Sequence, residues 1–192
     1  AGSPIECSYV KPDKIIQTGH NHYFIDFGQD AFGTLQIDMV PTAYDTLIIH
    51  LGEKALDQTR VDPHPGGTIR YQKIMLPVTP SKTSYLIPLV ADKRNTNPPA
   101  VALPDSFGVV MPFRYCEIEH LQTPLTESMI RQKTYHCPFN DQASSFICSD
   151  TILNQVWNLC KQTIKATSFC GLYIDGDRER IPYEADALIN QL

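Results

Sequence analysis

Residues 23–39, YFIDFGQDAFGTLQIDM, decide the fold class of this chain. In both halves of the stretch, apolar side chains recur at every second position, at Tyr23, Ile25, Phe27, Leu35, Ile37 and Met39. A period of two residues places these side chains on one face of a β-strand. The stretch therefore predicts antiparallel strands that turn one face towards a core.

Similar runs follow along the chain. Gly, Pro, Asn and Asp residues separate them, and they occupy Leu47–Leu51, Ile69–Met75, Tyr85–Val90, Val109–Ile118 and Ser128–Tyr135. About seven strands between residues 20 and 136 are typical of a sandwich, in which two sheets share one core. We predict a mainly β fold, with a jelly-roll-like antiparallel β-sandwich as an accessory domain over residues 1–136. Asp92–Pro99 is predicted to be a loop.

The pattern changes after Cys137. Apolar residues recur at helical spacing from Thr151 to Thr167, which predicts an amphipathic helix. Ser149 or Asp150 is placed to cap its N-terminus.

A second helix is predicted to start near Pro182, because proline is favoured in a first helical turn. Residues 137–192 are thus expected to form a connector and one to two α-helices. Helices this short need to pack on the sandwich, on a partner or on helices outside this sequence.

The composition excludes several classes of protein. With 192 residues, 42% of them hydrophobic and 19% charged, the chain can bury a core and is not disordered as a whole. Its 16 Lys and Arg against 21 Asp and Glu give a net charge of -5, so nucleic acid is not a predicted partner. It contains no run of about 18 uncharged apolar residues, so no membrane partner is predicted.

Residues that bind metals or form disulfides give weak signals. The six cysteines are widely spaced without a CxxC pair, and we expect mostly free, buried thiols. His20 and His22 form an H-x-H at strand spacing, but a metal pair needs at least one more ligand and none is evident in the sequence. No metal site and no cofactor are predicted.

The densest group of charges lies at Asp175–Asp186. It holds five carboxylates and two guanidinium groups in twelve residues. A carboxylic acid that donates a proton near neutral pH needs a raised pKa, which burial or neighbouring carboxylates supply. Arginines can hold carboxylates or sugar hydroxyls in fixed geometry, and an aromatic ring can face a sugar. The alternative interpretation is a solvated, salt-bridged turn at the start of a helix.

This segment resembles the acid-bearing signature of the α-L-rhamnosidases, glycoside hydrolase family 78. Glu179 and Asp186 are seven residues apart, Arg178 and Arg180 flank Glu179, and Tyr183 occupies the aromatic position. The upstream segments also resemble the family, at Asp26–Gly28, Leu51–Glu53, Phe113–Tyr115, Phe146–Asp150 and Leu153–Asn154.

The resemblance implies a function and a role for each of these residues. Glu179 would be the general acid in the inverting hydrolysis of terminal α-L-rhamnosides. Asp175, Asp177, Arg178, Tyr183 and Asp186 would bind the sugar. The base would lie on a later helix of an (α/α)6 barrel, of which this chain would carry only the first helices. The chain alone is therefore expected to be inactive, with a rhamnosylated carbohydrate as its partner and a periplasmic or secreted location favoured.

The sequence departs from the family pattern in two places. Gly176 and a shorter gap replace the Cys-Pro that usually follows the first Asp, so either Asp175 or Asp177 could fill the role of that Asp. Ala185 replaces the glycine commonly found before the last Asp, and the preferred sugar could differ on that account.

Two other functional classes stay open. One is a carbohydrate-binding β-sandwich without catalysis, with an exposed aromatic strip formed by Tyr9, Tyr44, Tyr71 and Tyr85. The other is an interaction domain whose acidic cluster is only a charged turn. Trp157 is placed by its helical position in a core rather than on a sugar-binding surface.

Overall fold

A computed structural model describes residues 5–185 and Leu188. The strands are β1 Glu6–Val10, β2 Lys14–Gly19, β3 His22–Asp38, β4 Asp45–Gly52, β5 Ala55–Leu56, β6 Arg60–Val61, β7 Tyr71–Val78, β8 Ser84–Leu86, β9 Met111–Glu119, β10 Ile130–His136, β11 Ser168–Phe169 and β12 Leu172–Tyr173. The α-helices are α1 Lys93–Thr96 and α2 Thr151–Thr167, and short 3-10 helices occupy Asp105–Phe107 and Glu127–Met129. The predicted fold class, mainly β with one or two helices, is confirmed.

The chain divides into two compact units. The sheet unit contains Ser8–Ala91 and Pro104–Thr134. Of the described residues, the C-terminal unit contains 5–7, Asp92–Leu103, 135–185 and Leu188. The segment Asp92–Leu103 thus leaves one unit in the middle of the sheet sequence and packs in the other.

Antiparallel pairing builds the sheet in the order β1-β10-β3-β9-β4-β7, with β2 and β8 both pairing with β3. The long strand β3 changes neighbours along its length, because its register with β9 shifts between Asp26 and Ala31. Gly28 lies within this bulge with a φ of 80°, a conformation that glycine adopts without strain. Before the bulge β3 pairs with β2, and after it with β8 and β10. Such bent strands let two layers share one sandwich core.

The alternating residues of the opening stretch lie in that core, as predicted. The buried cluster includes every one of them, together with Leu47, Ile49 and Leu51 of β4. Ile25, Leu35, Ile37 and Ile49 are completely buried. The period of two residues was informative here because each strand turns one face inward.

The helix α2 spans the predicted residues, and Asp150 is its cap. The Asp150 side chain accepts hydrogen bonds from the backbone amides of Ile152 and Leu153, at 2.8 and 3.3 Å. No residue of α2 is buried, and its apolar residues Ile152, Leu153, Val156 and Leu159 are all exposed. None of the described helices is long and apolar enough to span a membrane.

Several sequence predictions need correction. Asp92–Pro99 is not only a loop, because it contains α1, which Asp92 caps through the amide of Arg94. The cysteines are free, but only Cys116 is buried, since most of the others lie on loops or on the uncovered helix. Trp157 is half-buried against Phe146, at 5.6 Å between ring centroids, rather than inside a core. The second predicted helix begins at Glu184, and most of it lies outside the described residues.

Candidate active site

The charged segment Asp175–Tyr183 follows directly on the hairpin of β11 and β12. Cys170 and Gly171 form the two-residue turn of this hairpin, with φ values of 53° and 80°. Two consecutive positive φ values are typical of the tightest hairpin turns. Ile174 is completely buried after β12, and its amide donates to the Thr167 carbonyl at 3.0 Å. The segment therefore begins from an anchored backbone.

Asp175 and Ile181 close the segment into a loop. The Asp175 amide donates to the Ile181 carbonyl at 3.1 Å, and the Ile181 amide donates to Asp175 Oδ1 at 3.0 Å. Within the loop, the Arg180 amide donates to the Gly176 carbonyl at 3.1 Å. Arg180 has a φ of 54° in the left-handed region, which reverses the direction of the chain. The side chains of the loop form two groups, one buried and one at least partly exposed.

Asp177 and Arg180 form a buried ion pair inside the loop. Nε and Nη2 of Arg180 lie 2.9 and 2.7 Å from Asp177 Oδ1, and each side chain is only 5% exposed. The Arg180 guanidinium lies over the ring of the buried Phe169, 5.6 Å from its centroid. The pair satisfies two charges that could not otherwise be buried.

Asn95 of α1 completes this cluster from a distant part of the sequence. Its side-chain amide donates to the Asp177 carbonyl at 2.8 Å and to Asp177 Oδ2 at 3.1 Å. Asn95 is itself buried, and the Val101 amide donates to the Arg180 carbonyl at 2.8 Å. Both carboxylate oxygens of Asp177 are thus hydrogen-bonded inside the C-terminal unit. Its predicted contact with a sugar stays a prediction, since in this chain the group supports the loop.

Glu179 belongs to the accessible group, together with Arg178 and Tyr183. Arg178 Nε donates to Glu179 Oε1 at 2.7 Å, and Arg178 Nη2 contacts the same oxygen. The Tyr183 hydroxyl donates to Glu179 Oε2 at 2.9 Å. The Glu179 side chain is 25% exposed and that of Arg178 is 61% exposed. Arg178 and Tyr183, which the sequence placed around the general acid, therefore do lie beside Glu179, whereas the second flanking arginine, Arg180, pairs with Asp177 instead.

A general acid needs a raised pKa, whereas the pKa of Glu179 is lowered. Hydrogen bonds from Tyr183 and Arg178 stabilise its carboxylate, and they lower the pKa of Glu179 below its ordinary value. A general acid holds its proton only where burial or a neighbouring carboxylate raises the pKa. Around Glu179 the effect of partial burial is outweighed by the hydrogen bonds from Tyr183 and Arg178, so the ionised form is favoured in this chain.

Replacing Tyr183 with phenylalanine is expected to raise the pKa of Glu179 towards its ordinary value, because the strongest hydrogen bond to its carboxylate is removed. A pKa lowered by folding adds stability above the unfolded pKa, and this contribution is lost as pH falls through the folded pKa. In Tyr183→Phe, the free energy of unfolding should therefore decrease less when the pH falls through the pKa of Glu179. Carbon-13 NMR titration of the glutamate carboxyls measures the shift, with the exposed Tyr44→Phe as control. An unchanged Glu179 pKa would contradict the assignment.

The other predicted site residues are placed less completely. Asp175 is exposed, with one oxygen engaged by the Ile181 amide. Asp186 lies outside the described residues. The tyrosine strip of the binding-module alternative does not form, because Tyr85 is buried in the sheet core, with its hydroxyl donating to the carbonyls of Thr79 and Lys82.

The segment that contains this loop is similar to a domain of known proteins. Residues 141–192 match the model of the bacterial α-L-rhamnosidase six-hairpin glycosidase domain. This segment of the chain is similar to that domain. Its structure is similar over 100% of its length to the α-L-rhamnosidase of Dictyoglumus thermophilum, with a TM-score of 0.70 and 18% identity. No curated protein sequence matches the chain.

Two further α-L-rhamnosidases have the same fold. The enzyme from Aspergillus terreus gives a TM-score of 0.66 at 15% identity over 94% of this chain. The enzyme from Streptomyces avermitilis, solved with L-rhamnose, gives 0.66 at 13% identity over 96%. The chain spans 20%, 19% and 16% of the lengths of these three proteins. The segment with Glu179 falls within the residues that match the glycosidase domain.

Proposed function

We propose that this chain forms the β-sandwich and the first helices of an inverting glycoside hydrolase that acts on terminal α-L-rhamnosides, with Glu179 as its general acid. The match of residues 141–192 to the six-hairpin domain carries this proposal. The accessible position of Glu179 on a loop held by the buried Asp177–Arg180 pair supports it. A protein of this kind would bind a rhamnosylated carbohydrate and would be exported.

The groups around Glu179 suit the recognition of a sugar. Arg178 offers donors to ring hydroxyls, and Tyr183 is 45% exposed, so its ring can face the apolar side of a pyranose. Asp175, and Asp186 beyond the described residues, would accept hydrogen bonds from further hydroxyls. Carboxylates accept such bonds strongly because they are charged.

The uncovered face of α2 supports a larger catalytic domain. Four apolar residues of this helix are about half exposed or more, namely Ile152, Leu153, Val156 and Leu159. Further helices packed on this face would remove that surface from water, which is the main source of helix stability. The same helices would bring the base, a second carboxylate about 6.5–9.5 Å from Glu179, as inversion requires.

Covering the site would also correct the ionisation of Glu179. Burial and the charge of the second carboxylate both favour the protonated form and would raise the pKa that Tyr183 and Arg178 lower in this chain. Residues from both parts of the domain would therefore determine the pKa of the general acid. This explains how a group ionised here could donate a proton in the longer protein.

An aryl α-L-rhamnoside assay tests the proposal. The 192-residue chain is expected to release no aglycone, whereas a chain that continues through the six-hairpin domain is expected to hydrolyse the substrate with inversion, followed by NMR of the anomeric proton. Turnover of this substrate by the short chain would contradict the proposed division of the site. Rhamnose binding that survives deletion of residues 138–192 would favour the binding-module alternative.

A further inference from the structure

A cluster of histidine and glutamate side chains occupies the outer face of the sheet unit. The strands β3, β9 and β4 are neighbours, and their register pairs His22 with Glu119 and His50 with Glu117. Partners in an antiparallel register share one face of the sheet. The core side chains point to the other face. Four groups that commonly bind metals therefore project together from three adjacent strands.

The His and Glu atoms that could bind a metal lie close together, at hydrogen-bonding distances. His22 Nε2 lies 2.6 Å from Glu117 Oε1, and His50 Nε2 lies 2.9 Å from Glu119 Oε1. Ligand atoms of His22, Glu117 and Glu119 all lie within 4.8 Å of one another. Tetrahedral zinc holds nitrogen and oxygen ligands at about 2.0–2.2 Å, which sets them about 3.4 Å apart.

Neighbouring groups orient two of these side chains. The Tyr71 hydroxyl lies 2.7 Å from His50 Nδ1. If the hydroxyl accepts a hydrogen bond from Nδ1–H, the Nε2 atom of His50 is available to bind an ion. The Val61 amide donates to Glu117 Oε2 at 3.0 Å, which leaves Oε1 directed at His22. Partners of this kind fix the ring and carboxylate positions in metal sites.

Electrostatics favours a cation at this place. The Glu117 side chain is only 6% exposed, and its carboxylate lies close to that of Glu119. Two carboxylates held together in a partly buried site repel each other. A divalent ion bound between the two carboxylates would compensate for this charge. The His22 and Glu119 side chains are 29% and 30% exposed, so an ion can reach the cluster from solvent.

We propose that His22, Glu117 and Glu119, with His50 as a fourth ligand, bind one divalent transition-metal ion such as Zn²⁺. The mixed nitrogen and oxygen ligands favour an ion of this class over Ca²⁺ or Mg²⁺. The site lies wholly within the sheet unit and does not depend on the proposed hydrolase activity. It also gives His22 a partner set that the H-x-H motif lacked, because the additional ligands come from other strands.

Zinc binding to the intact chain, measured by competition with a chromophoric chelator, tests the proposal. Cobalt spectra separate this site from the cysteines, since only thiolates add sulfur-to-cobalt charge-transfer bands. The wild type, with its thiols alkylated, is expected to bind one equivalent. His22→Gln and Glu119→Gln should each weaken binding at least tenfold. The matched control His20→Gln, in the exposed turn beside β3, should bind like the wild type.

Both substitutions fall at partly exposed positions, and circular dichroism and thermal melts without metal check that the variants fold. An alkylated wild type that binds no zinc or cobalt would overturn the proposal. Equal affinities for the wild type, His22→Gln and Glu119→Gln would overturn it as well, because the ion would then lie elsewhere.

Discussion

Arg180→Met is expected to lower the free energy of unfolding by about 3–5 kcal/mol, because it leaves the buried Asp177 carboxylate without its counter-ion. Methionine keeps much of the apolar contact with Phe169, so the loss reports mainly on the charge. The two side chains are each 5% exposed, and water cannot replace the guanidinium without opening the loop. Urea unfolding followed by circular dichroism measures the change.

Arg178→Met is the matched control, since it removes the same group two residues away. Arg178 is 61% exposed, and an exposed pair contributes less than about 1 kcal/mol. A second variant, Asp177→Asn/Arg180→Met, removes both charges and should recover part of the loss. Equal small effects of Arg180→Met and Arg178→Met would show that the pair is not buried in solution.

The sequence predicted elements whose signal is local. The alternation from Tyr23 to Met39 identified the core face of β3, because each strand buries one side. The limits of α2 followed from apolar spacing and from the cap at Asp150. The strands β1 and β2 were not anticipated, because Glu6–Val10 and Lys14–Gly19 have few buried residues and so no clear alternation.

Contacts between distant residues were not predictable in the same way. Asn95 meets Asp177 across 82 positions of sequence, and no pattern in Asp92–Pro99 indicates that this segment joins the C-terminal unit. The cluster of His22 with Glu117 and Glu119 depends likewise on the register of β3 and β9. One sequence without an alignment contains no signal for such pairings.

The candidate site was predictable in part from the sequence. Arg178, Glu179 and Tyr183 were expected together because they are close in sequence, and their hydrogen bonds do connect them. The different burial of Asp177 and Glu179 depends on how the loop folds, which residue types do not reveal. The lowered pKa of Glu179 follows from that geometry and was not anticipated.

Glu179→Gln is expected to lower kcat by about 10²–10⁴-fold in a chain that carries this segment together with the rest of the six-hairpin domain. Glutamine keeps the size and one acceptor oxygen of the side chain but cannot donate the proton that the departing glycosidic oxygen needs. The loss should be largest for an alkyl rhamnoside and small for an activated aryl rhamnoside, because a stable aryloxide leaves without protonation. Rates with both substrates measure this difference.

Glu184→Gln is the matched control, an exposed glutamate five residues away with the same substitution, and it should leave both rates near the wild-type value. A loss that depends on the leaving group indicates a role in proton donation, whereas an equal loss for both substrates indicates a disturbed loop. Arg180→Met, which disturbs the backbone that positions Glu179, should slow both substrates by similar factors. An equal loss for both substrates in Glu179→Gln would contradict the role of general acid and would place this residue among the groups that only bind the sugar.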